Sequence, residues 1–259
     1  HKETFKIACQ LYELAKNKSV HASGVIVCDD NIEDLLPLEL DSNKHIVCGY
    51  TMNYAQMFGV KLDNLGLKSL DIVNDCLNLI GKKIEDIDVN HPSIYEYLNN
   101  TDNFYGIFQA EDGLGKSVMK ALKCQNIDDI SLSIAVGRPG SMKFLSDIIK
   151  VKEKGKIKRW DVKIEEVLKS SYGVVVYQED LMALARVMAN FAPQETNEIR
   201  KIIGKKLVDK MPEWKEKFVG QSLKNGFDKK ICDEIWQTFE DSGNYVFNRS
   251  HSCGYAYLT

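Results

Sequence analysis

The hydrophobic pattern of the chain changes period at Gly66, and that change restricts it to folds in which a small β-containing part precedes a mostly helical one. Before Gly66 the apolar residues come in short runs: Gly24-Val25-Ile26-Val27-Cys28, His45-Ile46-Val47-Cys48 and Phe58-Gly59-Val60-Lys61-Leu62. Such runs, rich in β-branched side chains and interrupted by polar turns like Asp41-Ser42-Asn43, predict the strands of one small sheet. After Gly66, Leu67, Leu70, Val73, Leu77 and Ile80 recur on one helical face, and Gly81 is placed to cap the C-terminus. Ahead of the strands, Phe5, Ala8, Leu11, Leu14 and Ala15 predict a helix ending at Asn17-Lys18-Ser19.

From about residue 90 onward nearly everything reads as helix and turn. His91-Pro92 opens a short helix, and Glu111 to Leu122 predicts another. Gln178 to Ala189 places Leu181, Leu184, Ala185 and Met188 on one face. Trp214, Phe218 and Leu223 form a further stripe, as do Ile231, Ile235 and Phe239. Lys152-Glu153-Lys154-Gly155-Lys156 reads as an exposed loop.

A length of 259 residues accommodates one large domain or two. No apolar run is long enough to cross a membrane, and HKETFKIACQ lacks the layout of a signal peptide. The seven cysteines include no CxxC pair, which argues against a disulfide framework or a structural zinc site and for a reduced, cytoplasmic setting. With no initiator Met and an end at GYAYLT, the chain is expected to be a piece of a longer polypeptide. The net charge of −3 conceals two basic tracts. Lys143 to Lys163 holds eight Lys/Arg against three acids, and Arg200 to Lys217 seven against three. Each is either a solvated lysine-rich face or a surface for an anionic partner.

Several stretches carry candidate chemistry. Asp63 follows a strand-like run, with Lys61 two residues earlier on the same face. It is a solvated loop acid or one carboxylate of a hard-cation site, where Lys61 would offset phosphate charge. Glu85-Asp86-Ile87-Asp88 has the spacing of a carboxylate pair, but its place between a helix cap and Asn90-His91-Pro92 makes it a polar linker. Arg200-Lys201-Ile202-Ile203-Gly204-Lys205-Lys206 gathers four cations around a glycine at a helix end. It suits either phosphate binding or the helix dipole. Gly137-Arg138-Pro139-Gly140-Ser141 is a rigid turn presenting one guanidinium. In Phe247-Asn248-Arg249-Ser250-His251-Ser252-Cys253, His251 and Cys253 are two apart and do not face each other on a helix, which removes a Cys–His nucleophile. His251 is a phosphate ligand or a buried structural histidine.

Taken in order, these segments resemble the alpha subunit of bacterial DNA polymerase III, the C family of replicative polymerases. His21-Ala22-Ser23-Gly24-Val25 resembles HAAGV, and Lys61-Leu62-Asp63-Asn64-Leu65-Gly66-Leu67 resembles KFDFLGL. Gly106-Ile107-Phe108-Gln109 is similar to GVFQ, Arg138-Pro139-Gly140 to RPGP, and Tyr172-Gly173 through Tyr177-Gln178-Glu179 to YGxxxYQE. The cationic cluster resembles RRAMGKK, and Phe247-Asn248-Arg249-Ser250-His251-Ser252 resembles FNKSHS. The chain departs from these patterns at Ser141, at Gly137 and at Asn244-Tyr245-Val246.

The resemblance implies an α+β fold: the small mixed sheet of a polymerase-beta-like nucleotidyltransferase palm, then mostly helical fingers. Residues 1–18 would end a thumb helix, 19–85 would be the second half of the palm and 86–259 the fingers. Asp63 would be a metal-binding catalytic carboxylate, with Lys61 beside the triphosphate. Arg138, Arg200, Lys201 and His251 would surround the incoming nucleotide, and Lys205 and Lys206 would contact DNA. Two Mg²⁺ ions would serve the complete enzyme, whose two other catalytic aspartates lie upstream of residue 1. The implied activity is nucleotidyl transfer from a dNTP to a primer 3′-OH on a template, with the isolated chain inactive. Partners would be primer–template DNA, the dNTP and, through other regions, the sliding clamp and replisome subunits, with no membrane. The alternative is a non-catalytic nucleic-acid-binding remnant of such a polymerase.

Overall fold

The computed structural model describes residues 2–12, 14, 18–138, 140–155, 160–243 and 245–259. They belong to two compact units, His1–Lys68 and Ser69–Thr259. The α+β character holds: short strands lie in the first unit and helices dominate the second.

The first unit runs α1 (Lys2–Leu11), β1 (Gly24–Val27), α2 (Ile32–Leu35), β2 (Leu38–Leu40), β3 (Ile46–Cys48), α3 (Met52–Ala55) and β4 (Val60–Asp63). The N-terminal helix stops at Leu11, short of the expected turn, of which Asn17 lies outside the described residues, as does Ala15 of its apolar face. All three expected strands form, but not in one mixed sheet. Two separate antiparallel ribbons take its place, β1 with β4 and β2 with β3. The local ribbon closes because the Asp41 carboxylate accepts hydrogen bonds from the backbone N–H groups of Asn43 and His45, both at 2.8 Å. Its first strand follows Pro37 and spans three residues, too short to announce itself in the sequence. In the other ribbon Val25 faces Leu62 and Val27 faces Val60, and all four side chains are exposed. The opposite face carries Gly24 across from Asp63 and Ile26 across from Lys61. Buried apolar side chains in this unit are confined to Leu36 and Ala55 among the described residues.

The second unit contains all but the first residue of α4 (Lys68–Ile80), then α5 (Pro92–Asn100), α6 (Gly113–Leu122), α7 (Ile127–Val136), α8 (Leu145–Lys154) and α9 (Val162–Val167). It continues with α10 (Gln178–Ala189), α11 (Pro193–Gly204), α12 (Met211–Lys224), α13 (Lys229–Ser242) and α14 (Arg249–Leu258). Side-chain caps fix many of the helix starts. His91, Asp112, Asn126, Asp228 and Asn248 each accept a backbone N–H from the first turn they precede. The acids at 85–88 act as linker residues: Asp86 accepts from Lys83 N at 2.9 Å and Asp88 from Asn90 N at 3.0 Å.

Two apolar clusters organise this unit. One joins Leu181, Leu184, Phe218, Ile235 and Phe239 of the predicted helical stripes with Ile164 and Trp236, which those stripes do not include, whereas Leu223 of the second stripe is exposed. The other joins Leu98, Met119, Leu132, Ile148, Tyr177 and Ala256. Small residues let α7 and α14 pack closely, with Ser131 Oγ 2.8 Å from Ser252 Oγ and 3.2 Å from the Tyr177 hydroxyl.

The expected loop at 152–156 is corrected in part. The helix α8 runs through Lys154, and Lys152 is largely buried because its ammonium donates to Asp129 Oδ2 at 2.6 Å. Lys156 lies outside the described residues. Asp129 also accepts from the Tyr172 hydroxyl at 2.7 Å and from Gln125 N at 2.8 Å. Tyr172 reaches it from a left-handed conformation, φ 54°, just before Gly173 at φ 80°. The Tyr-Gly pair thus makes the turn that leads the chain into α10.

Candidate functional site

In the first unit, Asp63 ends β4 directly across from Gly24, the smallest possible neighbour. A Cβ at Gly24 would lie 2.9 Å from Lys61 Cε, so glycine leaves room for the lysine to lie across the strand. Lys61 Nζ donates to both Asp63 oxygens, at 2.6 and 2.7 Å. That ammonium holds the Asp63 carboxyl below the usual carboxylate range. The two residues share a face, as their spacing predicts, and here the lysine neutralises the aspartate itself. His21 adds a second basic group: its Nε2 lies 3.9 Å from Asp63 while its Nδ1 accepts from Gly24 N at 2.8 Å. The sequence places His21 in a motif without giving it a role; the register of β1 against β4 is what brings it to Asp63.

A divalent-metal site needs several converging oxygen ligands. Among the described residues no group of three or more His, Cys, Asp or Glu side chains is placed to hold a metal ion.

In the second unit, the cationic residues are organised around a parallel bridge between Tyr177 and Phe247. Phe247 N donates to Val176 O at 2.9 Å, and Gln178 N donates to Phe247 O at 2.8 Å. The start of α10 and the approach to α14 are thereby locked together. Glu179 adds to the lock, accepting from Arg249 N at 2.9 Å and from the Asn248 amide at 3.2 Å.

Two of the candidate side chains lie against Phe247 of this bridge, and a third meets the side chain of the adjoining Gln178. The guanidinium of Arg138 lies over the Phe247 ring, 5.0 Å from its centre. His251, in the first turn of α14, sets its ring edge-on to Phe247 with centres 5.5 Å apart and tilted against Tyr255 at 4.3 Å. It is exposed, so it is not a buried structural histidine. Arg200, on α11, donates from Nη1 to Gln178 Oε1 at 3.1 Å. The turn that carries Arg138 depends on Gly140, where a Cβ would fall 1.9 Å from the Tyr245 ring; Pro139 of that turn lies outside the described residues.

Lys201, Lys205 and Lys206 are exposed at the C-terminal end of α11, and none has an ion-pair partner among the described residues. Lys205 N bonds Lys201 O at 3.0 Å, and Lys206 turns the chain with φ 48°. This cluster is a solvated cationic ridge adjoining Arg200. Arg200 also donates to Asn197 Oδ1 from Nε and Nη2; Gln178 and Phe247 stand in the sequence only as motif residues and Asn197 not at all, because the fold decides what an amide or a ring holds.

Residues 69–226 match the family model of the bacterial DNA polymerase III alpha subunit finger domain, and residues 1–66 match that of the bacterial DNA polymerase III alpha NTPase domain. DNA polymerase III subunit alpha of Ureaplasma parvum is 32% identical, covering 100% of this chain and 28% of that protein. The Aquifex aeolicus subunit is 33% identical over 100% of this chain and 23% of its own length, and that of Treponema pallidum 33% over 98% and 23%. The chain therefore spans about a quarter of the length of these curated relatives.

Proposed function

The chain belongs to the bacterial DNA polymerase III alpha-subunit family, and from that premise we propose that it carries the nucleotide-binding part of a replicative DNA polymerase in the cytoplasm. In this reading residues 1–18 end a thumb helix, 19–85 form the second half of a palm and 86–259 the fingers. The incoming dNTP is held by Arg138, Arg200, Lys201 and His251, and Lys205 and Lys206 meet the DNA backbone. The supporting observation is that Arg138 and His251 both lie against the Phe247 ring, while Arg200 bonds the side chain of Gln178, whose backbone N–H donates to Phe247 O, so the three side chains gather around one short stretch of paired backbone.

Each group has a distinct physical role. Guanidinium groups bind phosphate oxygens through paired N–H donors, and the exposed Arg138 guanidinium lies over the Phe247 ring. Lysines act as point charges, which fits backbone contacts that ignore sequence. DNA binding through them is expected to weaken steeply with added salt.

Asp63 is proposed as one oxygen ligand of the metal centre, whose further carboxylates the family resemblance places upstream of residue 1. Mg²⁺, two ions in the complete enzyme, would neutralise charge on the triphosphate. The Lys61 ammonium, paired here with Asp63, becomes free to face phosphate once the carboxylate turns to a cation. Primer–template DNA and the dNTP are the substrates, and clamp and replisome contacts belong to other regions of the longer protein.

Single-nucleotide primer extension by the full-length polymerase tests this reading. Arg200→Ala is expected to raise KM for the dNTP about tenfold or more, the loss of a charge-assisted contact. Asp63→Ala is expected to abolish incorporation while DNA binding persists. Incorporation that survives Asp63→Ala would remove the catalytic role and leave a nucleic-acid-binding segment.

A further inference from the structure

Arg200 is held in an unusual way for a half-buried arginine. Nε and Nη2 donate to Asn197 Oδ1 at 3.2 and 2.9 Å, and Nη1 donates to Gln178 Oε1 at 3.1 Å. Both acceptors are neutral amides. Three of the five guanidinium N–H groups are thus engaged, yet no carboxylate among the described residues lies within ion-pair distance of it.

The acids nearest in sequence are occupied elsewhere. On the same helix, Glu195 pairs with Lys217 at 2.7 Å and Glu198 with Lys210 at 3.6 Å. Glu179, next to Gln178, is engaged by Asn248 and by the backbone of Arg249. Arg249, by contrast, does have a carboxylate partner in Asp128. Arg200 is therefore aimed without being neutralised.

We infer that Gln178 and Asn197 form a charge-neutral clamp that positions Arg200 for the triphosphate of the incoming nucleotide and keeps its positive charge for that anion. The inference rests on the proposed nucleotide site and adds two positioning residues to it. An amide is the side chain suited to such a clamp, because it accepts a guanidinium N–H as a carboxylate does but does not compete with phosphate for the charge. Gln178 also links the clamp to the rest of the site, because its backbone N–H holds Phe247, on which Arg138 and His251 lie.

The test is Gln178→Glu in the full-length polymerase, with steady-state single-nucleotide incorporation and thermal unfolding measured together. The substitution keeps an acceptor of the same length and adds one negative charge. The expected result is an unchanged or higher Tm with KM for the dNTP raised about tenfold and kcat much less affected, since a charge beside Arg200 opposes a bound anion. A second arm places Gln178→Glu in an Arg200→Ala background, where it should add no further rise in KM.

A Gln178→Glu enzyme with wild-type KM would overturn the clamp, as would a full additional KM rise in the Arg200→Ala background, which means the new charge acts on the nucleotide directly. Asn197→Asp carries the same test if Gln178→Glu fails to fold. Arg200→Ala with unchanged KM overturns the nucleotide site itself; a raised KM in Arg200→Ala beside a normal one in Gln178→Glu overturns the clamp alone.

Discussion

Asp180 is buried at the start of α10, and burial lifts its carboxyl from the ordinary 3.8 to about 6. Backbone N–H groups of Tyr177 at 2.9 Å and Val176 at 3.2 Å pull in the other direction without cancelling the desolvation. Between 3.8 and about 6 the folded chain keeps a proton that the unfolded chain has lost. Stability is therefore expected to fall as pH rises through that window and to level off above it. Asp180→Asn should flatten the fall while keeping an acceptor for both N–H groups. Asp180→Ala should cost about 2 kcal/mol, since two buried donors lose their partner. Urea unfolding of the two variants at pH 4, 5, 6 and 7 checks this, and an undiminished pH slope in Asp180→Asn would assign the titration to another group. Asp63 shows the opposite electrostatics: it is exposed, and its lowered pKa comes from the Lys61 ammonium rather than from burial.

At the scale of elements, the apolar packing between α7, α8 and the turn into α10 encloses one buried ion pair. Asp129 is 1% exposed and is shared by Lys152, Tyr172 and the backbone of Gln125. Lys152→Met is expected to destabilise the protein by about 3–5 kcal/mol, because a buried carboxylate is left without its cation. Adding Asp129→Asn should recover a good part of that loss, as removing both charges does elsewhere. Equilibrium denaturation of the single and double variants measures it; a double variant no more stable than Lys152→Met would show that packing, not charge, sets the cost. This pair also shows where reading the sequence reaches its limit. The span Gln178–Ala189 is legible because four apolar residues repeat at helical spacing, a local signal that packing only reinforces. Lys152 reads as a loop residue because its partner, Asp129, is 23 positions away and nothing local announces it. The same holds in the candidate site: Arg200 stands out as a cation in a cluster, while Gln178, 22 residues earlier, reads only as a motif residue at a helix start until the fold brings it to the guanidinium.

Over the whole molecule, stability is distributed unequally between the two units. The second holds both apolar clusters, with Trp236, Phe218 and Phe239 fully buried. In the first, α1 buries no residue, and the β1–β4 ribbon leaves Val25, Val27, Val60 and Leu62 exposed. A two-stranded ribbon without a covered apolar face is marginal in water, since its few hydrogen bonds do not offset the ordering of its backbone. Hydrogen exchange should therefore be graded along this 259-residue chain. Amides of α10, α12 and α13 are expected to exchange only through global opening, and those of β1 and β4 about a thousandfold faster or more, through local opening. The gradient has a consequence for Asp63, whose position depends on a ribbon with these four apolar side chains uncovered. In the full-length protein the same β4 amides should gain protection if further structure packs on Val25 and Leu62. Mass-spectrometric exchange on the chain and on the full-length protein decides the matter. Protection of β4 equal to that of α10 in the isolated chain would show that the first unit is stable by itself.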